Sequence, residues 1–423
     1  MSAPRHVVIV GGGFAGLHLL RRLEPDLRAG TITVTLLDRN NYHLFTPLLY
    51  QVATGELPPH AIAYPLRAPI ARARQRFLQT EVEAVDIEAR TVATADGPIG
   101  YDQLVLVPGS VNNDHGIPGV AEHALRMKTL TDGLAVRRHV LSSFEHALRE
   151  PEPARRAELL SFVLIGGGPV GVELAASLRD LMDRTLRPMY PELDFAKEVS
   201  ITLIDAAPRV IAAMDPRLSA IATRQLLRQR VRLVPGTSVS AIEPGRVHTV
   251  DGAVFRGGTI IWAGGVRPSP LLAGVALPKA PDGRIAVDGS FRAGGRDDVL
   301  SFGDAAAFAW QGRPLPQLAQ VAVLQAPAVA RAIGRIARGE PLEAYAYHRK
   351  GDLIALGRTD AGAELARLGG IVVGGFPAWT LWRANYLLQL LGVRGRATLL
   401  AEWTLSYFFA HLVSVTDEAP DPV

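Results

Sequence analysis

Two stretches of this chain place three glycines in G-x-G-x-x-G register: VVIVGGGFAG, with Gly11, Gly13 and Gly16, and FVLIGGGPVG, with Gly166, Gly168 and Gly171. A β-branched run leads into each and a helix-forming segment leads out, an order that turns backbone N–H groups and the positive end of a helix toward a pyrophosphate. In the first turn Gly12, Phe14 and Ala15 complete the motif. Each turn is followed by an acidic residue closing a later apolar strand: Asp38, with Arg39 next to it, in TITVTLLD, and Asp205 in VSITLID. A carboxylate at such a strand end accepts hydrogen bonds from a ribose 2′-hydroxyl and repels a 2′-phosphate. The pair of motifs therefore implies a protein that holds two dinucleotides at once, the second of them NADH rather than NADPH. Asp38 lies about twenty residues beyond Gly16, the usual spacing. Asp205 lies further from Gly171 because LMDRTLRPMYPELDFAKE intervenes, so a simple turn-capping role stays open for it. Arg209 nearby leaves room for a 2′-phosphate.

The elements that must position these turns follow from periodicity and breakers. Strands at 7–10 and 32–38 flank the first turn, and GPIGYDQLVLVPGS reads as a hairpin leading into a strand that ends near Gly109. A helix is expected from Thr129 to Arg149, then a breaker-rich PEPARR, then the second mononucleotide-binding unit to about Gly257 and a buried strand in TIIWAGG. The fold class is α/β, with two Rossmann-like dinucleotide-binding domains, the first interrupted by the second, and a C-terminal helical domain. The expected boundaries are 1–112 and 257–345 for the first domain, 113–256 for the second and 346–423 for the last.

Composition narrows the chemistry. The 423 residues are 48% hydrophobic with a net charge of +4, which excludes a disordered chain. The positive charge is carried almost wholly by Arg, without a dense basic cluster or basic and aromatic interleaving, so no nucleic acid partner is expected. Cysteine is absent. That removes flavoenzymes that pass electrons to a cysteine pair or use one cysteine against peroxide or sulfide. MSAPRH leads straight into the first strand with no apolar signal region, so the body is expected in the cytoplasm. No uninterrupted apolar stretch of spanning length occurs. The C-terminal region nevertheless gathers Trp379, Trp382, Tyr386, Trp403, Tyr407, Phe408 and Phe409 among leucines, flanked by Arg383, Arg394 and Arg396. These read as two short amphipathic helices in a headgroup layer, with a buried hairpin or a dimer interface as the competing reading.

Beyond the glycine turns, longer stretches carry a resemblance. RNNYHLFTPLLYQVATGELPPHAIAYPLR, GGGPVGVELAASL, IIWAGGVRPSPLL, VLSFGDAAAF, LAQVAVLQAPAVARAI and the tail AWTLWRANYLLQLLGVRGRATLLAEWTLSYFF make the chain similar, over essentially its whole length, to the type II NADH:quinone oxidoreductases. The resemblance implies FAD at the first turn and NADH (leaving as NAD) at the second. It also implies a membrane quinone, menaquinone or ubiquinone, as acceptor, a non-pumping respiratory role, and peripheral attachment to the cytoplasmic face of the inner (plasma) membrane. A homodimer is expected.

The same resemblance assigns Asp304 to the ribityl chain, Val82 to the adenine through its backbone, and Gly109, Ala319 and Gln320 to the flavin. Glu173, two residues past Gly171, becomes the active-site glutamate; a first-turn helix-dipole partner is the plain alternative. The helix opening near Leu318 is expected to aim its N-terminus at the flavin pyrimidine edge. Quinone is expected near Pro47, Leu48, Gln320 and Leu324, with Glu173 and Gln320 as the catalytic pair. The chain departs from the family pattern at Leu324, where the first of two later glutamines is usual; Gln325 keeps the second. Val107 and Pro108 replace the usual alanine and threonine. Two rival functions stand beside this one: a soluble flavin reductase that feeds a small protein carrier, and a non-enzymatic NADH sensor.

Overall fold

The computed structural model describes residues 3–70 and 74–409. The end of the expected C-terminal domain, 410–423, lies outside the described residues. The chain divides into two compact units: 1–44 with 63–111 and 266–348, and 45–62 with 112–265 and 349–423.

In the first unit the apolar strand Arg5–Val10 lies at the centre of a five-stranded sheet, in the order Val299–Ser301, Gln103–Leu106, Arg5–Val10, Ile32–Asp38, Gln75–Gln79. Every neighbour is parallel. Strands buried on both faces need no alternation of polar residues, which is why VVIV and LVL are continuous apolar runs. Helices Phe14–Arg22 and Ala319–Arg338 pack on each other in this unit.

The second unit repeats the plan. Its sheet runs Leu125–Arg126, Thr259–Trp262, Ser161–Ile165, Ser200–Asp205, Val231–Pro235, again all parallel. The repeat extends to the crossover into the strand beside the central one, which in both units is a three-stranded antiparallel sheet. These are Val82–Asp86, Thr91–Thr94 and Gly97–Gly100 in the first, and Val239–Glu243, Arg246–Thr249 and Val254–Arg256 in the second. Each begins with a register shift, at Val82/Ala84 and at Val239/Ala241.

This repeat moves one expected boundary. Thr259–Trp262 is the counterpart of Gln103–Leu106 and pairs with Ser161–Ile165, so the break falls at 265/266 and not at 256/257. A fully apolar strand carries no mark of which sheet it will join. The expected helix after Thr129 forms at Leu130–Arg149, started by a capping box in which the Thr129 hydroxyl and the Asp132 carboxylate each accept the other's N–H, at 3.1 and 2.7 Å.

The second unit also holds the short helices Leu49–Ala53 and Pro59–Ile62, the antiparallel strands Asp352–Ala355, Ala361–Leu365 and Ile371–Gly374, and the helices Phe376–Gln389 and Val393–Phe408. Residues 349–409 thus share a unit with the second sheet and do not form the separate domain expected from 346 onward. The first of the two tail helices packs on the antiparallel strands and the second on Pro59–Ile62.

Candidate functional site

The first glycine turn is set by close approach. Gly11 has φ +108°, and a Cβ there would lie 2.2 Å from the Val107 carbonyl oxygen; a Cβ on Gly16 would lie 1.9 Å from the Gly11 carbonyl oxygen. Any side chain at either position would push the helix off the strand end. At Gly13 a Cβ would meet nothing within 4 Å, and no side chain caps the helix Phe14–Arg22. A helix start with no side-chain cap is suited to a pyrophosphate. Asp38 closes the cradle: one carboxylate oxygen accepts from Gly12 N–H at 2.6 Å and the other from Asn40 N–H at 2.8 Å. Burial raises its pKa. Each oxygen keeps a further lone pair for a ribose hydroxyl.

Phe14 and Ala15 lie on the helix, and the edge of the Phe14 ring meets buried His43 at 4.6 Å. Burial, aided by His18, lowers the His43 pKa to about 3, so that imidazole is neutral. Arg39 is exposed and only 3.9 Å from an exposed Glu81 carboxylate, a weak pair. Asp304 follows the edge strand of the same sheet and accepts the Ser110 hydroxyl at 2.6 Å. Val82 heads its strand at the register shift. Gly109, at φ +75°, accepts from Ser269 N–H at 3.1 Å. Ala319 and Gln320 open the helix Ala319–Arg338, which has no side-chain N-cap.

Gln325 is buried, and its side-chain oxygen holds Gly303 N–H at 2.9 Å, fixing the turn that presents Asp304. Leu324 beside it is half-buried.

The second turn reproduces the first. Gly166 has φ +110° with its Cβ position 2.4 Å from the Ala263 carbonyl oxygen, Gly171 would meet the Gly166 carbonyl oxygen at 1.9 Å, and Gly168 again faces open space at an uncapped helix start. Even the strand-end bonds match: Gly11 N–H to the Leu37 carbonyl and Gly166 N–H to the Ile204 carbonyl, both 2.8 Å. Asp205 stands one residue beyond Ile204 as Asp38 stands beyond Leu37, so the long insertion before it leaves the register untouched. Asp205 accepts from Ala207 N–H at 3.1 Å. Arg209, left open by the sequence for a 2′-phosphate, has its guanidinium on the carbonyls of Ala212 and Met214 at 2.7 and 2.9 Å.

Glu173 lies past the first turn of helix Pro169–Asp180, and that first turn holds no acidic residue, so the helix-dipole reading fails. Its side chain is 6% exposed and accepts from Ala355 N–H at 3.0 Å. Burial raises its pKa to about 8. A carboxyl that is largely protonated at neutral pH can give a proton to a reacting oxygen. Pro47 is half-buried in the turn Thr46–Leu48, while Leu48 has no exposed surface and is core. Gln320 and Leu324 belong to the other unit.

The tail corrects the aromatic-girdle reading. Trp379, Trp382 and Trp403 are buried, and Trp403 donates its indole N–H to Gln51 at 3.0 Å. Arg383 is no headgroup arginine either: its guanidinium lies over Trp379 at 4.0 Å and Trp403 at 4.9 Å and reaches Glu56 at 4.0 Å. What faces outward is Phe376, Leu381, Leu388, Val393, Leu400, Leu405, Tyr407, Phe408 and Phe409. The helices are apolar on both faces, one for the protein core and one not. Sequence reasoning missed Tyr50, Gln51 and Glu56 altogether; the only available signal was an arginine inside the apolar run WTLWRANYLL.

Residues 5–326 match the family model described as pyridine nucleotide-disulphide oxidoreductase. The type II NADH:quinone oxidoreductase Ndh of Mycobacterium tuberculosis is 32% identical over 98% of this chain and 91% of its own length. A type II NADH:quinone oxidoreductase of Staphylococcus aureus is 30% identical over 84% and 88%. Among solved structures, NDH2 of Plasmodium falciparum in complex with NADH superposes with a TM-score of 0.88 at 18% identity, covering 97% of this chain and all of that one. The sulfide:quinone oxidoreductase of Aquifex aeolicus superposes with a TM-score of 0.72 at 20% identity, covering 96% of each. These two likenesses concern the fold.

Proposed function

The chain belongs to the type II NADH:quinone oxidoreductases, within the pyridine nucleotide-disulphide oxidoreductase family, and we propose a division of labour between its two glycine cradles and one buried carboxyl. The protein oxidises NADH and reduces a quinone by two electrons with FAD as its flavin. FAD supplies the redox centre that accepts a hydride from NADH and yields two electrons to the quinone.

The first cradle suits FAD. Gly11, Gly12, Gly13, Phe14, Ala15 and Gly16 present the helix N–H groups to the pyrophosphate, Asp38 takes the adenosine ribose, Asp304 the ribityl hydroxyls, and Val82, Gly109, Ala319 and Gln320 line the remainder. Gly166, Gly168, Gly171 and Asp205 do the corresponding work for NADH, and the carboxylate of Asp205 selects against a 2′-phosphate. Glu173 holds the proton that the reduced quinone needs. Gln320 and Leu324 are read as walls of the quinone's approach. The observation that carries this division is the shared register of the two cradles, each with an acidic residue one position past the strand-end bond.

The test is anaerobic. NADH added to the purified protein should bleach the flavin absorbance, NADPH should do so far more slowly, and a menaquinone or ubiquinone analogue should restore it. Failure of every quinone analogue to restore the colour would return the sensor or carrier-reductase readings.

Membrane attachment rests on the outward apolar face of the tail helices. Among the described residues no helix is long and apolar enough to cross a membrane. The face formed by Leu381, Leu388, Leu400, Leu405 and Phe408 supports peripheral docking on a membrane surface, which we read as the cytoplasmic leaflet. Leu388→Asp with Leu400→Asp should abolish co-sedimentation with anionic vesicles while leaving flavin content unchanged. Retained binding would assign the face to a second copy in the expected homodimer.

A further inference from the structure

Three neighbouring strands of the second sheet, Ser161–Ile165, Ser200–Asp205 and Val231–Pro235, are parallel, with Ser161 opposite Ser200 and Thr202 opposite Arg232. Side chains alternate from face to face along a strand, so Ser161, Ser200, Thr202 and Arg232 share one face. Toward the strand ends that face is ordinary core: Val163, Ile165 and Ile204 pack with Val239, Ile242 and Val247 of the covering antiparallel sheet. Toward the strand starts, where the alternation calls for more apolar residues, it turns polar and basic.

In place of core, the strand starts border a cavity of about 480 Å³. That lies within the roughly 300–1,000 Å³ of small-molecule sites. Its wall includes Arg179, Arg230, Arg232 and Arg256 and no Asp or Glu. In a chain where 45 basic residues face 41 acidic ones, this is a local excess of one sign. Arg179 is buried and neutralised by Asp183, to which its guanidinium donates twice, once at 2.8 Å. Asp183 also acts on Arg230, but it is committed to Arg179. Among the described residues the guanidinium groups of Arg230, Arg232 and Arg256 make no hydrogen bond or ion pair; Arg232 lies over the Phe255 ring at 5.4 Å.

The hydroxyls divide in the same way. Ser200 donates to Ser161 at 3.1 Å, and Ser161 donates to the Arg256 carbonyl at 3.1 Å. Thr202 is 8% exposed, and among the described residues its hydroxyl has no partner. The wall thus presents unused donors and positive charge without an acceptor of its own. Like charges gathered this way repel, and a bound anion relieves that. A guanidinium fork matches the oxygens of a phosphate.

We propose that this cavity binds a small anion carrying two or more phosphate groups, a nucleotide or bare pyrophosphate, held by Arg230 and Arg232 with the Thr202 hydroxyl as a further donor. Phe195 and Phe255 on the wall add aromatic surface against which a base can lie. The site is separate from the NADH cradle. All strands of the sheet run the same way, so the cavity lies at their starts and Gly166 and Asp205 at their ends, roughly 16 Å along at about 3.3 Å per residue.

The experiment is titration calorimetry on the intact flavoprotein with ADP, pyrophosphate and adenosine as probes. The Gly171→Ala variant, whose NADH cradle is spoiled, serves as the background. There ADP and pyrophosphate should each bind at one site per chain, more weakly as salt is added, and adenosine should not bind. Tighter binding of ADP assigns the nucleotide; binding of pyrophosphate at least as tight assigns the bare phosphate chain. Adding Arg230→Gln with Arg232→Gln, both exposed positions, should weaken binding by about 10-fold or more, the scale of one charge-assisted hydrogen bond. Arg313→Gln, at an exposed arginine of the other unit, should change nothing. In the wild-type background the double variant should reduce its flavin with NADH at the normal rate, which separates loss of the site from loss of the fold. Absence of saturable binding by both phosphate probes in wild type would overturn the proposal. So would binding that disappears in Gly171→Ala yet persists in the double variant, since that places the probe in the NADH cradle. Equal weakening by Arg313→Gln would reduce the effect to net charge and also overturn it.

Discussion

The two cradles share a glycine skeleton to within a few tenths of an ångström in their strand-end bonds, yet they hold their acidic residues differently. In the first, both Asp38 oxygens accept N–H groups from the cradle and its own following turn, at 2.6 and 2.8 Å. In the second, Asp205 accepts from Ala207, and a loop folds back so that Ile211 N–H, on a residue at φ +45°, bonds the Gly167 carbonyl at 2.6 Å. The first arrangement is self-contained and fits a cofactor that stays. The second recruits a loop outside the motif, pinned by Arg209, and fits a dinucleotide that arrives and leaves each turnover. On the proposed assignment, the same backbone device serves residence in one cradle and exchange in the other, according to what lies next to it.

The sharpest way to break this comparison is to spoil the two cradles in turn. Gly16→Ala and Gly171→Ala each force a Cβ to within 1.9 Å of a backbone carbonyl oxygen. Overpacking of that kind costs about 1–3 kcal/mol or more. Gly16→Ala should yield nearly colourless protein, whereas Gly171→Ala should keep its flavin and lose about 100-fold in the rate of bleaching by low NADH. Equal flavin loss in both would show that the cradles are not specialised.

A smaller effect is expected at the acidic residues. Asp205→Ser should narrow the NADH over NADPH preference by about 10-fold, the scale of one charge-assisted hydrogen bond, without loss of flavin. Asp38→Ser should leave the preference alone and loosen the flavin, measured as release on dilution. A preference unmoved by Asp205→Ser would mean the ribose is read elsewhere.

The smallest effect is on stability. The Glu173 pKa is raised in the folded protein, from 4.5 to about 8. The native state therefore binds more protons than the unfolded state between those values, and this residue's contribution is full below pH 4.5 and lost as pH rises through 8. Thermal melts of wild type and Glu173→Gln should diverge by a few degrees on going from about pH 5 to 8, with wild type losing ground. Parallel curves would show that the carboxyl is not held neutral by burial.

Much of this was legible in the residues. Both glycine turns, the strands that feed them and the helix after Thr129 follow from runs and breakers that act over a few residues, whereas the helix that starts after Leu318 was expected from the family resemblance. Asp205 was legible too, despite its distance, because the end of an apolar strand is a local signal. The strand Thr259–Trp262 was assigned to the wrong side of a boundary because TIIW is apolar on both faces and says nothing of its partner. Gln325 carried no assigned role in the sequence; it holds Gly303, and an amide reads alike whether it meets a ligand or a backbone N–H.

The tail shows where local reading stops. Its tryptophans and Arg383 suggested a headgroup belt by composition, but the buried and outward faces of two apolar helices have the same hydropathy, and only packing separates them. What the sequence determined by itself is what depends on short spacing: two glycine turns at strand ends, an acidic residue closing a later strand after each, and no thiol for redox work. What tertiary structure alone decided is the environment of the titratable groups. Glu173, Glu56, Tyr50 and Arg383 come from three separate stretches of chain, and the solvent lost and the charges gained when those stretches meet set whether each can hold or release a proton.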